Sequence, residues 1–382
     1  MKFLLTTLAS LCFGFLILSC QSSDSAIEAP PVENSKPDTT EFSVTAQTIY
    51  DSLKNPWAMA WLPDGRLLVT ERSGEILVFK NDKFTGEKLS GVPAVFNEGQ
   101  GGLMDIKLHP NYTQNGWVYI TYAKPVEGGA TTAVMRFKLQ GNQLVEKQEI
   151  FTAKPYLPAN FHFGSRIVFD KDNYLYVSSG ERGTQPKVQE LDNDHGKVHR
   201  LFDDGRVPED NPFAGKGTAH ASIWTYGHRN PQGMVYDAAT NRIWEVEHGP
   251  KGGDELNLIE RGKNYGWPKT SYGINYDGTV LTPYKEMEGI ENPVRFWVPS
   301  IAPCDVMLVT SDKYPEWKGN VLVSALSFKH IARVQLAGTK FKSEEKLLQD
   351  LGRFRSTSQS PDGYIYAVTE GPGKLVKLMP VR

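Results

Sequence analysis

Asp172-Asn173-Tyr174-Leu175-Tyr176-Val177-Ser178 is a tight turn followed by a run of strand-forming residues, and variants of it recur along the chain. Earlier copies are Pro63-Asp64-Gly65-Arg66-Leu67-Leu68-Val69-Thr70 and Asn115-Gly116-Trp117-Val118-Tyr119-Ile120-Thr121. Later ones are Thr240-Asn241-Arg242-Ile243-Trp244-Glu245-Val246, Lys318-Gly319-Asn320-Val321-Leu322-Val323-Ser324 and Asp362-Gly363-Tyr364-Ile365-Tyr366-Ala367-Val368. Asp-Gly and Asn-Gly pairs supply the positive φ angles of tight turns, and Val, Ile, Tyr and Leu favour extended backbone. Counted from the Gly or Asn at each turn, the steps are 51, 57, 68, 79 and 43 residues. Several copies continue into another strand, as in Gly74-Glu75-Ile76-Leu77-Val78-Phe79 and Lys374-Leu375-Val376-Lys377-Leu378.

No helical periodicity extends over ten or more residues. The 342 residues from Glu41 to Arg382 divide into six units of about 57, enough for a four-stranded sheet with its loops. Radial repetition of short sheets protects strand edges. The expected fold is therefore all-β, a six-bladed propeller of four-stranded antiparallel blades; a pair of sandwiches or a seven-bladed ring is the alternative. The long steps before Asn241 and Asn320 predict large loop insertions, where function tends to reside.

The 382 residues carry 42 Lys+Arg and 44 Asp+Glu, a net charge of −2. That balance argues against a nucleic-acid partner, which calls for clustered basic excess. Of the three cysteines, Cys12 and Cys20 lie in or beside an apolar N-terminal run, which leaves Cys304 without an intramolecular disulfide partner in the rest of the chain. Lys2 followed by apolar Phe3 to Leu18 reads as an export signal, too short for a spanning helix. Its end, Ile17-Leu18-Ser19-Cys20, resembles a bacterial lipobox, an ordinary secretory signal being the alternative. The expected organisation is a signal over residues 1–19, a lipid-anchored tether over 20–40 and one propeller over 41–382. The protein is then exported and held to the cell envelope through Cys20, on the periplasmic or outer-surface side.

The loops carry the candidate chemistry. Asn97-Glu98-Gly99-Gln100-Gly101-Gly102 lets backbone approach a ligand, with Gln100 as a two-way hydrogen-bonding group. His162, in Phe161-His162-Phe163-Gly164, is a candidate general base. Tyr226-Gly227-His228-Arg229-Asn230-Pro231-Gln232-Gly233 is dense in donors. Glu247-His248-Gly249-Pro250-Lys251-Gly252-Gly253-Asp254-Glu255, with Asn264-Tyr265-Gly266-Trp267-Pro268, suits a hard cation such as calcium, or else is a pair of solvated turns. Alternation puts Arg353 and Arg355 on one face of an extended segment, as a carboxylate or phosphate clamp, with Lys329 able to join. Asp192-Asn193-Asp194-His195-Gly196 lacks the closing Glu of an EF-hand loop, and the strand-like run around His199 argues against a His195/His199 metal pair.

Taken in order, these loops resemble the soluble pyrroloquinoline-quinone (PQQ) dependent aldose sugar dehydrogenases, relatives of glucose and sorbosone dehydrogenases. The resemblance rests on Gly99 to Leu103, His162 to Arg166, Ser179-Gly180-Glu181-Arg182-Gly183, Tyr226 to Gly233, Glu247 to Pro250, Asn264 to Pro268, Val298 to Pro303 and the Arg353/Arg355 pair. It implies His162 as the base that takes a proton from the anomeric hydroxyl, with Glu181 standing where an Asp often orients that histidine. It implies Arg229, Lys329, Arg353 and Arg355 as partners of the carboxylates of PQQ, with Gln100 and Asn230 as polar contacts. Gly249 and Pro250 match positions whose carbonyls hold a calcium ion against the quinone, and Glu255 and Tyr265 match a second calcium site. The implied partners are an aldose and an external electron acceptor, a quinone or redox protein, acting with a monomer or homodimer. Asp305 departs from the family pattern: it either points away from the cofactor or alters the choice of substrate. The competing readings are a calcium-dependent propeller lactonase or related hydrolase, and a non-catalytic sugar-binding propeller. No Rossmann or P-loop motif occurs, which argues against NAD or ATP.

Overall fold

The computed structural model describes residues 42–381; the expected signal, Cys12, Cys20 and the tether lie outside them. The described chain forms six four-stranded antiparallel sheets. Their first strands are Pro56–Trp61, Leu103–Leu108, Ile167–Phe169, Pro231–Asp237, Pro303–Leu308 and Arg353–Gln359. Each contacts the next around a closed ring, so these are the inner strands of a six-bladed propeller. Each recurring turn-strand segment delivers the second strand of one blade, from Arg66–Glu71 in blade 1 to Ile365–Glu370 in blade 6. Leu175–Ser179 and Val321–Ala325 are buried at every position, which is why these runs read as continuous rather than alternating apolar sequence.

Blade 6 is completed from the far end of the chain. Ser43–Tyr50 pairs antiparallel with Lys374–Val381, Ser43 opposite Val381, and forms the outermost strand. Sheet hydrogen bonds thus close the ring, and no blade is left to fray at the termini. Apolar contacts between neighbouring blades supply the rest: Leu68, Ile76 and Val78 of blade 1 pack with Ile106, Val118 and Ile120 of blade 2. The two predicted insertions fall between the third and fourth strands of blades 3 and 4, at 202–222 and 260–294. Among the described residues the only α-helix is the single turn Tyr112–Asn115.

Candidate active site

The loop entering blade 3 carries His162. Its backbone holds φ at +55°, and its N–H donates to Gln100 Oε1 at 2.8 Å. A non-glycine residue in that region is strained and persists only where its surroundings fix it. Two contacts fix it here: Phe161 lies edge-on to the imidazole at 4.7 Å, and Glu181 Oε1 lies 2.5 Å from Nδ1. Gly180 permits the approach, because a Cβ there would fall 1.9 Å from the His162 carbonyl oxygen. Ionised Glu181 can only accept, so Nδ1 carries the proton and Nε2 keeps its lone pair. Burial lowers the imidazole pKa, with the Glu181 hydrogen bond opposing and Arg229 reinforcing the shift. His162 is thus a neutral base at neutral pH. The longer Glu181 side chain reaches the ring as an Asp would.

Beside this loop the inner-strand ends surround a cavity of about 310 Å³, lined by Trp57, Arg72, Gln100, Gln232, His248, Ala302, Leu326, Ser327, Arg353, Arg355 and Glu370. Arg355 is buried, its Nε donating to Glu370 Oε1 and its Nη1 to Gln232 Oε1, both at 2.8 Å. Arg353 is looser, with Nε 3.7 Å from Glu370 Oε2 and its side chain 45% exposed. Arg229 Nη1 donates to the Gly249 carbonyl at 2.7 Å, and its guanidinium lies 5.2 Å from the Trp267 ring centre. Several buried groups here have no hydrogen-bond partner in the protein: Arg229 Nε, Asn230 Nδ2, His248 Nε2 and Glu181 Oε2. Buried polar atoms are rarely left so, and a cluster of them marks a surface built for a polar ligand. His248 is held neutral, its pKa well below the usual imidazole value through burial and the charges of Arg355 and Arg229.

Residues 53–377 match the family described as glucose/sorbosone dehydrogenase. The chain belongs to this family. It is 39% identical over 346 residues to an aldose sugar dehydrogenase of Escherichia coli, covering 88% of this chain and 93% of that one. The crystal structure of the soluble aldose sugar dehydrogenase from Escherichia coli in its apo form superposes with a TM-score of 0.86 at 38% identity, over 89% of this chain and all of the other. The PQQ-bound aldose sugar dehydrogenase of Streptomyces coelicolor superposes with a TM-score of 0.74 at 28% identity, over 89% and 99% of the two chains.

Within this glucose/sorbosone dehydrogenase scaffold, the positions singled out from sequence divide into three groups. Gln100, Arg353 and Arg355 line the cavity; His162 adjoins it through Gln100, with Glu181 behind, and Arg229 and Asn230 adjoin it through His248. Lys329 is exposed, at φ +46°, beside the cavity-lining Leu326 and Ser327. The third group surrounds a small void lined by Arg229, Glu247, Gly249, Glu255 and Tyr265. The Tyr265 hydroxyl already donates to Leu258 O and accepts from Glu260 N, so its backbone carbonyl is the group left for a cation.

Sequence reading missed Glu245, Arg72 and Glu370. Glu245, Glu247 and His228 bring ligand atoms within 4.8 Å of one another. The amide of Asn257 donates to Glu245, Glu247 and Glu255, at 3.1, 3.4 and 3.2 Å, while Glu247 is also met by His228 and by the Arg229 and Asn230 N–H groups. Burial, and then the charge of Glu247, push the Glu245 and Glu255 carboxyls well above their ordinary range. Two buried carboxyls, Glu245 and Glu247, beside the half-buried Glu255 offer more acceptor oxygens than the donors around them, a set that fits a hard cation. Asp305 points away from the cavity, with Oδ1 3.3 Å from Arg166 Nη2. A larger cavity of about 590 Å³ lies near Pro155, His195 and His220, but it lacks the converging arginines.

Proposed function

We infer that this protein oxidises the anomeric carbon of an aldose to the lactone, using PQQ and calcium and passing electrons to an acceptor other than NAD. The observation that carries the reading is a neutral imidazole, fixed by Glu181 with its free nitrogen at Nε2, beside a cavity lined by Arg72, Arg353 and Arg355. Bound PQQ supplies a quinone carbon that accepts hydride, and an adjacent calcium ion acts as a Lewis acid.

The side chains follow from that chemistry. Arg229, Arg353 and Arg355 hold the cofactor's carboxylates by charge-assisted hydrogen bonds, with Lys329 at the rim. The unpartnered Asn230 Nδ2 and the Gln100 amide complete its polar contacts. His162 Nε2 accepts the anomeric hydroxyl proton as hydride leaves the same carbon, and Glu181 stabilises the resulting imidazolium. The Gly249 and Pro250 carbonyls are the candidate ligands of the calcium beside the cofactor; Arg229 must then release Gly249 O, which it occupies in this structure. Glu255, with the Tyr265 carbonyl and the neighbouring Glu245 and Glu247, suits a second calcium.

Cofactor-free protein given PQQ and calcium should reduce an artificial electron acceptor when an aldose is added, with no activity when NAD replaces PQQ. Failure to bind PQQ in a spectrophotometric titration overturns the reading. The sequence at Cys20 supports a lipid anchor in the cell envelope. Cys20→Ser should then move the protein from the membrane fraction to the soluble one; a wild-type protein already soluble overturns that assignment.

A further inference from the structure

Two arginines, Arg355 and Arg353, converge on one carboxylate inside the cavity, and a third, Arg72, lines the same space. Glu370 ends the strand Ile365–Glu370, in register with Arg353 on the neighbouring strand. It accepts from Arg355 Nε at 2.8 Å, and Arg353 Nε stands 3.7 Å from its second oxygen. Arg72 comes from blade 1, just beyond the strand Arg66–Glu71, and lines the same cavity. Burial would raise the Glu370 carboxyl, but Arg355, Arg353 and Arg72 together hold it below the ordinary carboxylate range. Arg72 also serves the neighbouring loop: Nε donates to Gly101 O at 2.8 Å and Nη2 to Gly99 O, on either side of Gln100.

The geometry points to Glu370 as an internal counter-anion: it keeps Arg353 and Arg355 gathered beside Arg72 in the cofactor-free protein and lowers the affinity of the cavity for an anionic cofactor by competing for the same charges. This rests on the reading of the cavity as a PQQ site. Without Glu370, the buried Arg355 guanidinium would share the cavity with Arg353 and Arg72 and have no counter-charge, a costly arrangement. With it, Arg353 and Arg355 are held in place, Arg355 most firmly because Gln232 takes its other edge. A cofactor carboxylate entering the cavity adds its charge to one already present, so it gains less than it would from arginines with no counter-anion. The charge and the hydrogen bond of Glu370 are separable, since Gln in its place keeps an acceptor oxygen for Arg355 and removes the charge.

The test is a PQQ titration of full-length wild type and E370Q, followed by absorbance at low and high salt, with melting temperatures recorded with and without PQQ. E370Q should bind PQQ about tenfold more tightly or better, within the coupling measured for close charge pairs, with a steeper loss of affinity in salt. Its cofactor-free form should melt lower than wild type and gain more on PQQ addition, because the stabilisation a ligand gives grows with the logarithm of its affinity. Arg72→Gln should act in the opposite direction, weakening PQQ and flattening the salt dependence. The double variant should return towards wild type. If E370Q does not fold, E370A takes its place: PQQ affinity equal to or weaker than wild type overturns the proposal. Equal or weaker PQQ binding by folded E370Q also overturns it. A wild type that binds no PQQ overturns the cavity reading and this proposal together, whereas tight wild-type binding with no gain in E370Q overturns this proposal alone.

Discussion

Two layers of buried arginine and carboxylate meet around the propeller axis, and they differ in one respect. At the cavity, Arg229, Asn230, His248 and Glu181 each keep a buried polar atom without a partner. A few residues further along the same inner strands, Arg166 is fully engaged. Its Nε donates to Gln232 O at 2.7 Å, Nη1 to Asp105 Oδ1 at 3.1 Å and Nη2 to Cys304 O at 3.0 Å, with the guanidinium 4.1 Å from the Trp57 ring centre. Asp305 faces Arg166 and also accepts from Ser356 Oγ and Thr357 N. One side chain from blade 3 therefore ties into blades 1, 2, 4 and 5, and through Asp305 into blade 6. Beyond this layer, Val168, Val235, Val306 and Ser358 line a separate cavity of about 270 Å³. The contrast teaches that a buried charge whose every hydrogen bond is met serves the fold, while a cluster with bonds left over awaits a ligand.

Breaking the satisfied layer should have the largest effect on the fold. Arg166→Met strands Asp105 and Asp305 as buried carboxylates and should cost about 3–5 kcal/mol in denaturant unfolding. Arg229→Gln, whose guanidinium has no carboxylate partner, should cost under about 1 kcal/mol while weakening PQQ binding. Equal losses of stability would erase the distinction between the layers.

The chemistry should respond the other way round. His162→Ala should lower kcat by about 10²–10⁴-fold, the usual contribution of a general base, with unfolding and PQQ binding little changed. The base works deprotonated, so the rate rises with pH through its pKa and then levels. Burial lowers that pKa, so the plateau in kcat/KM should extend below the ordinary imidazole value of about 6.5. Glu181→Gln removes the hydrogen bond to an anion that raises this pKa, and should shift the acid limb lower still. An acid limb above about 6.5 in wild type would point to a different base.

The smallest effect belongs to Cys304. Its thiol is wholly buried, with the Phe354 carbonyl the nearest acceptor for its one S–H at 3.1 Å and the Arg355 and Ser324 carbonyls also in reach, and burial pushes its pKa up to about 12. Peptide mapping after alkylation should find Cys304 unmodified in the native protein and modified in urea. Labelling of the native protein would mean that this layer opens readily.

Six second strands were legible in the sequence because turn residues and strand propensity act within a few neighbouring positions, and six turn-strand copies are enough to count blades. His162, Arg353 and Arg355 were legible because the chemistry of a side chain is evident from its type. Local signals did not show where those side chains would meet. Glu370 reaches the cavity by pairing across from Arg353, and Arg72 arrives from the opposite end of the chain. Asp305, whose orientation the sequence left open, is directed to Arg166 because the ring brings residues 166 and 305 together. Closure by Ser43–Tyr50 against Lys374–Val381 likewise depends on the whole ring, since the partners lie more than 300 positions apart. Sequence alone determined the blade, its repeat and the kinds of chemistry available. Only the tertiary structure decided which charges are satisfied and which are left for a ligand, because that depends on strand register and on contacts between blades distant in the chain.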